Sequence, residues 1–231
     1  MTTSPSLLHQ WLLTCRGAPA LPLDLHGPRV LRLDLSVHNP DLPALDLRDT
    51  AGFDRYVFGK MHAAGADMAV GGYLEDRQIY RRSAHFGTAD EESRSVHLGV
   101  DLWAPAGTPV FAMLPGRVHS FADNQGFGNY GPTVILQHDT PHGPLHSLYG
   151  HLSLTSLARV AEGQIVAAGE RVGWLGPFPE NGDWPPHLHL QLVVDLGPFR
   201  GDYPGVGRPS ERAYHMANCP DPNLLLRSPW L

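Results

Sequence analysis

The stretch VLRLDLSV at residues 30–37 alternates strictly, with Leu31, Leu33, Leu35 and Val37 on one side and Arg32, Asp34 and Ser36 on the other. A period of two predicts a half-buried strand. NPDLPALD then breaks the pattern. From Phe53 the period becomes helical: Phe53, Tyr56, Val57, Lys60, Met61 and Ala64 share one stripe, with Lys60 its only blemish. Asp49 or Thr50 is placed to start that helix and Gly65 to end it. With a short helix expected within residues 1–16, residues 1–70 read as a small α+β N-terminal accessory segment. After Val70 the texture changes. Short apolar runs alternate with glycine and proline turns, as in GVDLWAPAGTPVFAMLPGRVHSF, GPTVILQH, GPLHSLYGHLS, GQIVAAGERVGWLG and HLHLQLVVD. This predicts a mainly β chain, with an antiparallel β domain over residues 71–196. Residues 197–231, rich in proline and glycine, read as a C-terminal packed tail.

Composition narrows the function classes. With 231 residues, 42% of them hydrophobic, the chain is long and apolar enough to fold around a core. The net charge is -6, and no basic run exceeds Arg81-Arg82, which argues against a nucleic-acid partner. Cys15 and Cys219 allow one disulfide but no CxxC zinc pair. No apolar run reaches the roughly 20 residues of a membrane span. The N-terminal LLTC is similar to a lipoprotein cleavage site, but no Lys or Arg precedes it and His9 and Gln10 interrupt the apolar run. It is read as part of an ordinary helix with a buried Cys15, and the protein is expected in the cytoplasm rather than exported.

The histidines carry the candidate chemistry. PPHLHLQL at 185–192 reads as a strand that begins after Pro185-Pro186. Alternation then puts His187, His189 and Gln191 on one face and Leu188, Leu190 and Leu192 on the other. In a helix the two imidazoles would diverge by roughly 200° and could not serve one ion. HLGVD offers His97 and Asp101, four residues apart, and LYGHLS offers His151. His138, His142 and His146 also have ligand-like spacings, but Pro141, Gly143 and Pro144 forbid a helix there, so they are read as a hairpin. His85, His119 and His215 are set aside too. A catalytic zinc commonly has three protein ligands and one open position. His97, Asp101 and one histidine of the pair would fill three positions. The other histidine and His151 would then act as general base and electrostatic stabiliser.

These motifs, in this order, resemble those of the lysostaphin/LytM-type zinc metallopeptidases, many of which cleave peptidoglycan peptides. That family carries H-x-x-x-D, a histidine in a Y-x-H-L-S-like strand, and H-x-H. Here they are HLGVD, YGHLS and HLHL, and the linking stretches DLWAPAGTPVFAMLPGRV, GFGNYGPTVILQH and VAEGQIVAAGERVGWLG are also similar over about residues 70–196. The resemblance implies a compact antiparallel β-sandwich with a groove across Zn2+. It implies His97, Asp101 and His189 as metal ligands, and His151 and His187 as catalytic residues. The implied substrate is a peptide or peptidoglycan fragment. The flanks GGYLEDRQIYRR and PGVGRPSERAYHMANCPDPNLLL resemble instead the peptidase-like domain joined to class III aminotransferases, which would imply a cytoplasmic peptide or amide. A non-catalytic binding module that retains the fold is the alternative function. Trp103, Tyr130, Tyr149, Trp174 and Trp184, with Phe127 and Asn129, are candidates to line or edge the groove, although core packing is the commoner role for such aromatics.

Overall fold

The computed structural model describes residues 6–77, 79–80 and 92–231. His85 and the Arg81-Arg82 pair lie outside them. The chain begins with α1 (Leu7–Thr14), β1 (Val30–Arg32), α2 (Thr50–Ala63) and β2 (Met68–Gly71). There follow β3 (Val96–His97), β4 (Val100–Trp103), β5 (Pro109–Phe111), β6 (Gly116–Asn124), β7 (Gly131–Thr140) and β8 (Gly143–Gly150). After α3 (Leu154–Leu157) come β9 (Ile165–Val166), β10 (Arg171–Trp174), β11 (His187–Val193) and β12 (Val206–Gly207), then α4 (Arg212–Asn218) and α5 (Asn223–Leu226).

The expected β character holds, in a layered form. Eight strands form one sheet in the order β1-β2-β4-β11-β8-β7-β6-β9, while β5 pairs with β10 and β3 with β12. The large sheet is mixed rather than purely antiparallel, because β1 runs parallel to β2. One face carries the largest core, where Leu188, Leu190 and Leu192 meet Val100, Leu102 and Tyr149. Val110 and Val172 bring the β5–β10 ribbon onto that face. The other face holds two smaller cores. One is built around Phe53, Trp103 and Trp184, and the other around Ile135, Leu148 and Tyr203.

The N-terminal segment adds to this sheet. β1 is shorter than the alternation predicts, and only Leu33 and Leu35 of the predicted stripe are fully buried. The chain beyond it pairs singly, with the Leu33 amide donating to Val70 O and Ser36 bridging to Arg77. α2 forms as its spacing predicts and buries Phe53, Val57 and Met61, a contribution of roughly 2 kcal/mol for each side chain. Lys60 leaves the stripe to bond Asp41 at 2.6 Å, and Gly65 takes a φ of +64° just past the helix. Cys15 is half-buried rather than buried, and both cysteines are free thiols. The C-terminal segment packs back on the start of the chain, with the Arg227 Nη2 donating to Leu12 O and the Ser228 hydroxyl to Leu25 O. Among the described residues no helix is long and apolar enough to cross a membrane.

Candidate metal centre

The register of β11 assembles the site. His189 lies opposite Asp101 on β4 and opposite Gly150 on β8, and His187 lies opposite Trp103. Residues directly opposed in a ladder project to the same face. His151 follows Gly150 at once, so the three separated motifs meet at one level of the sheet. His97 arrives from β3, whose partner is Val206 of β12. Between His97 and Asp101, a Cβ on Gly99 would stand 2.6 Å from the Leu190 carbonyl oxygen and 2.8 Å from the His189 ring. Glycine is what allows this approach.

Three donor atoms converge. His97 Nε2 lies 3.0 Å from His189 Nδ1 and 3.2 Å from Asp101 Oδ1, and His189 Nδ1 lies 3.3 Å from that oxygen. A tetrahedral ion with bonds near 2.0–2.1 Å needs donors about 3.3 Å apart. The outward nitrogens are engaged: His97 Nδ1 meets Gly72 O at 2.9 Å, and His189 Nε2 meets the Gln191 Oε1 at 2.9 Å. Both partners are acceptors, so each ring carries its proton outward and turns a lone pair inward. The donor set therefore fits a divalent metal of zinc's type. Among the described residues no fourth His, Cys, Asp or Glu joins these three.

Two further histidines face the same space. His187 Nδ1 donates to Pro185 O at 2.7 Å, which leaves Nε2 bare at 3.8 Å from Asp101 Oδ1. His151 Nδ1 donates to Asn181 O at 2.8 Å, and its ring centre lies 4.2 Å from that of His187. The His151 backbone has a φ of +63°. Strained backbone of this kind concentrates at functional sites, where surrounding contacts hold it. Here the Tyr130 carbonyl accepts from the His151 amide, and the His151 carbonyl accepts from Gly176 N.

The electrostatics follow from burial, since all five side chains are 5% exposed or less. Loss of water pushes His97 and His187 down to about 4 and His151 well below its ordinary value. At neutral pH these rings are uncharged. Burial pushes the Asp101 carboxyl up, but His97 and the Arg77 guanidinium outweigh it and hold the carboxyl well below the usual range.

A cavity of about 300 Å³ covers the centre, with Tyr80, Trp103, Tyr130 and Trp184 among its walls. Trp103 stacks on His187 at 4.1 Å between ring centres. Asn129 also reaches the cavity, whereas Tyr149 belongs to the large core and Trp174 and Phe127 line other depressions. His138 and His146 lie in the β7–β8 hairpin and stay apart from the centre, as expected; His138 bonds the Ser147 hydroxyl at 2.7 Å. His119 meets the Ser120 hydroxyl and His215 lies near Glu211. Sequence reasoning passes over Arg77 and Asn181, which lie in no motif. Gln191 was legible only as a third residue on the histidine face.

A family model described as Peptidase family M23 matches residues 95–200, the span that holds all five of these residues. Over this span the chain is similar to M23 peptidase domains. Over 132 residues it is 33% identical to the DD-carboxypeptidase/endopeptidase Mpg of Neisseria meningitidis, covering 55% of this chain and 28% of that protein. It is 33% identical to lysostaphin of Staphylococcus staphylolyticus, over 43% of this chain and 19% of that one. With the peptidoglycan DD-endopeptidase ShyA of Vibrio cholerae it shares 35% identity, over 42% of this chain and 20% of that one. The aligned stretches thus span only 19% to 28% of the length of these curated relatives. Among solved structures, the catalytic domain of lysostaphin from Staphylococcus simulans aligns at 25% identity and a TM-score of 0.35, covering 52% of this chain and 80% of that one. The catalytic domain of the prophage-encoded M23 protein EnpA from Enterococcus faecalis aligns at 28% identity and a TM-score of 0.37, covering 54% and 85%.

Proposed function

We propose that this M23-like domain is a zinc-dependent metallopeptidase that hydrolyses a peptide bond in a cell-wall-type peptide. The observation that carries the reading is the inward-facing donor set of His97, Asp101 and His189, beside two further neutral histidines. Three protein ligands, with no fourth among the described residues, is the pattern of catalytic rather than structural zinc. The names of the relatives, peptidoglycan DD-endopeptidase and DD-carboxypeptidase/endopeptidase, support the substrate class.

Bound zinc would lower the pKa of a water and polarise the scissile carbonyl. The protein supplies the proton handling. His151 and His187 each anchor Nδ1 on a backbone carbonyl, so each keeps Nε2 free to accept a proton. One takes the proton from the attacking water and returns it to the leaving amine. The other, whose Nε2 is likewise an acceptor, would take a hydrogen bond from the second O–H of the attacking water and so orient it. Burial lowers their basicity, so both start in the accepting form at neutral pH. Trp103 stacked on His187 keeps that ring in its plane.

The test joins metal content to turnover. Purified protein should hold close to one zinc and cleave a cross-linked muropeptide, and a chelator should abolish cleavage. Asp101→Ala should remove the metal, while His151→Ala should keep the metal and lose at least ~100-fold in kcat, as expected for a general acid–base group. Protein without any transition metal, unchanged by Asp101→Ala, would sink the reading.

A further inference from the structure

Asp101 has two oxygens, and the structure treats them differently. Oδ1 faces the two histidine donors at 3.2 and 3.3 Å. Oδ2 accepts from Arg77 Nη1 at 2.5 Å. Arg77 is 2% exposed and is itself fixed on several sides. Its Nε donates to the Glu75 Oε2 at 2.6 Å, and its Nη1 donates to the Tyr80 hydroxyl at 3.2 Å. Behind it lies Gly71, opposite Asp101 in the β2–β4 register, where a Cβ would come within 2.8 Å of Nη2. The guanidinium is thus wedged between the β2 backbone and the Asp101 carboxylate.

Neutralising a buried carboxylate would need only a cation nearby. This arrangement does more. A carboxylate can ligate through one oxygen or two, and here a rigid planar donor occupies the oxygen that two-point ligation would require. The second carboxylate, Glu75, bonds a different edge of the guanidinium and so opposes its rotation. We infer that Arg77 is a positioning residue that restricts Asp101 to ligation through Oδ1, and that Glu75 holds Arg77 in that task. The inference rests on the reading that His97, Asp101 and His189 hold a metal. It concerns how many ligand atoms the protein presents, and therefore whether a coordination position stays open for substrate.

Cobalt(II) reports this directly, because a four-coordinate ion absorbs visible light much more strongly than a five- or six-coordinate one. Two variants are compared with the wild-type chain. Arg77→Lys keeps the charge but replaces the fork by a point donor. Glu75→Gln keeps Arg77 and weakens its anchor. The wild-type cobalt form should show the intense four-coordinate spectrum. Arg77→Lys should lose severalfold in band intensity and bind zinc about 10-fold more weakly or worse, the range typical of groups that orient metal ligands. Glu75→Gln should shift both readouts in the same direction by less, and it decides the matter if Arg77→Lys does not fold when the chelated proteins are compared by circular dichroism. Wild-type protein that takes up neither ion would remove the metal site and this inference together. Intense wild-type cobalt bands, with folded variants that match them in spectrum and in zinc affinity within twofold, would overturn the role of Arg77 alone.

Discussion

His189 shows how much one ring depends on its neighbours. Its Nδ1 can face Asp101 and His97 only while its Nε2 keeps a proton for Gln191 Oε1. Gln191 is held in turn, with its Nε2 donating to Pro204 O at 3.1 Å and to the Cys219 sulfur at 3.4 Å. Burial raises that thiol to about 11, so it stays protonated and uncharged at neutral pH. A chain of buried polar groups therefore runs from the C-terminal segment to the candidate donor set. Such chains fix a ligand's tautomer and direction. Gln191→Leu keeps the side-chain volume close but removes the acceptor. Zinc affinity, measured by competition with a chromophoric chelator, should fall ~10–100-fold. The chelated variant should still unfold cooperatively, because Leu suits a buried position. An unchanged zinc affinity would show that the amide has no part in orienting His189. Period-two alternation places Gln191 on the correct face, yet nothing in the sequence distinguishes an orienting amide from a packed one.

At the scale of elements, α2 backs the site although it contributes no group to it. Phe53 is buried at 1% exposure and meets the Trp103 ring edge-on at 6.2 Å, and Trp103 stacks on His187. The helix was legible because its apolar stripe is long and regular, and β11 because alternation and a double proline agree. What lay beyond the sequence was partnership. Nothing local in VLRLDLSV says that its strand runs parallel to residues 68–70 at the sheet edge, and nothing in the helical stripe says that it packs behind Trp103 and, through it, His187. Phe53→Ala should cost about 3–5 kcal/mol through the cavity it leaves, which for a chain of this size lowers Tm by roughly 10–15 °C. Zinc content should stay at the wild-type level, because Phe53 touches none of the donors. Scanning calorimetry and metal analysis on one preparation check both halves, and loss of zinc without loss of stability would contradict this arrangement.

For the whole molecule, the buried histidines set a limit on the acid side. The motifs identified which residues meet but not how dry their meeting place is. That dryness comes from distant pieces packed on the sheet face, α2 with Leu35 and Leu42 on one side and Tyr203 and Val206 of the C-terminal segment on the other. His97 and His187 are held near 4, and His151, His138 and His146 are also held below the ordinary value of 6.5, in each case chiefly by burial. In the unfolded chain each of these rings takes up a proton near 6.5. Between that pH and the lower folded values the unfolded state binds more protons, so stability rises with pH across the window. The contribution is fully present above about pH 6.5 and is lost as pH falls towards 4. Below that, His97 and His187 protonate in the folded state as well, and their share of the loss levels off. Metal ligation would mask this titration, so the measurement belongs on chelated protein. Its Tm should be flat from pH 8 to 7 and then fall by on the order of 10 °C or more by pH 4.5. Replacing His187 by Phe should make the decline shallower, because one buried proton acceptor is gone. A Tm that is level between pH 6.5 and 4.5 would mean that the histidines of the site are hydrated and titrate normally.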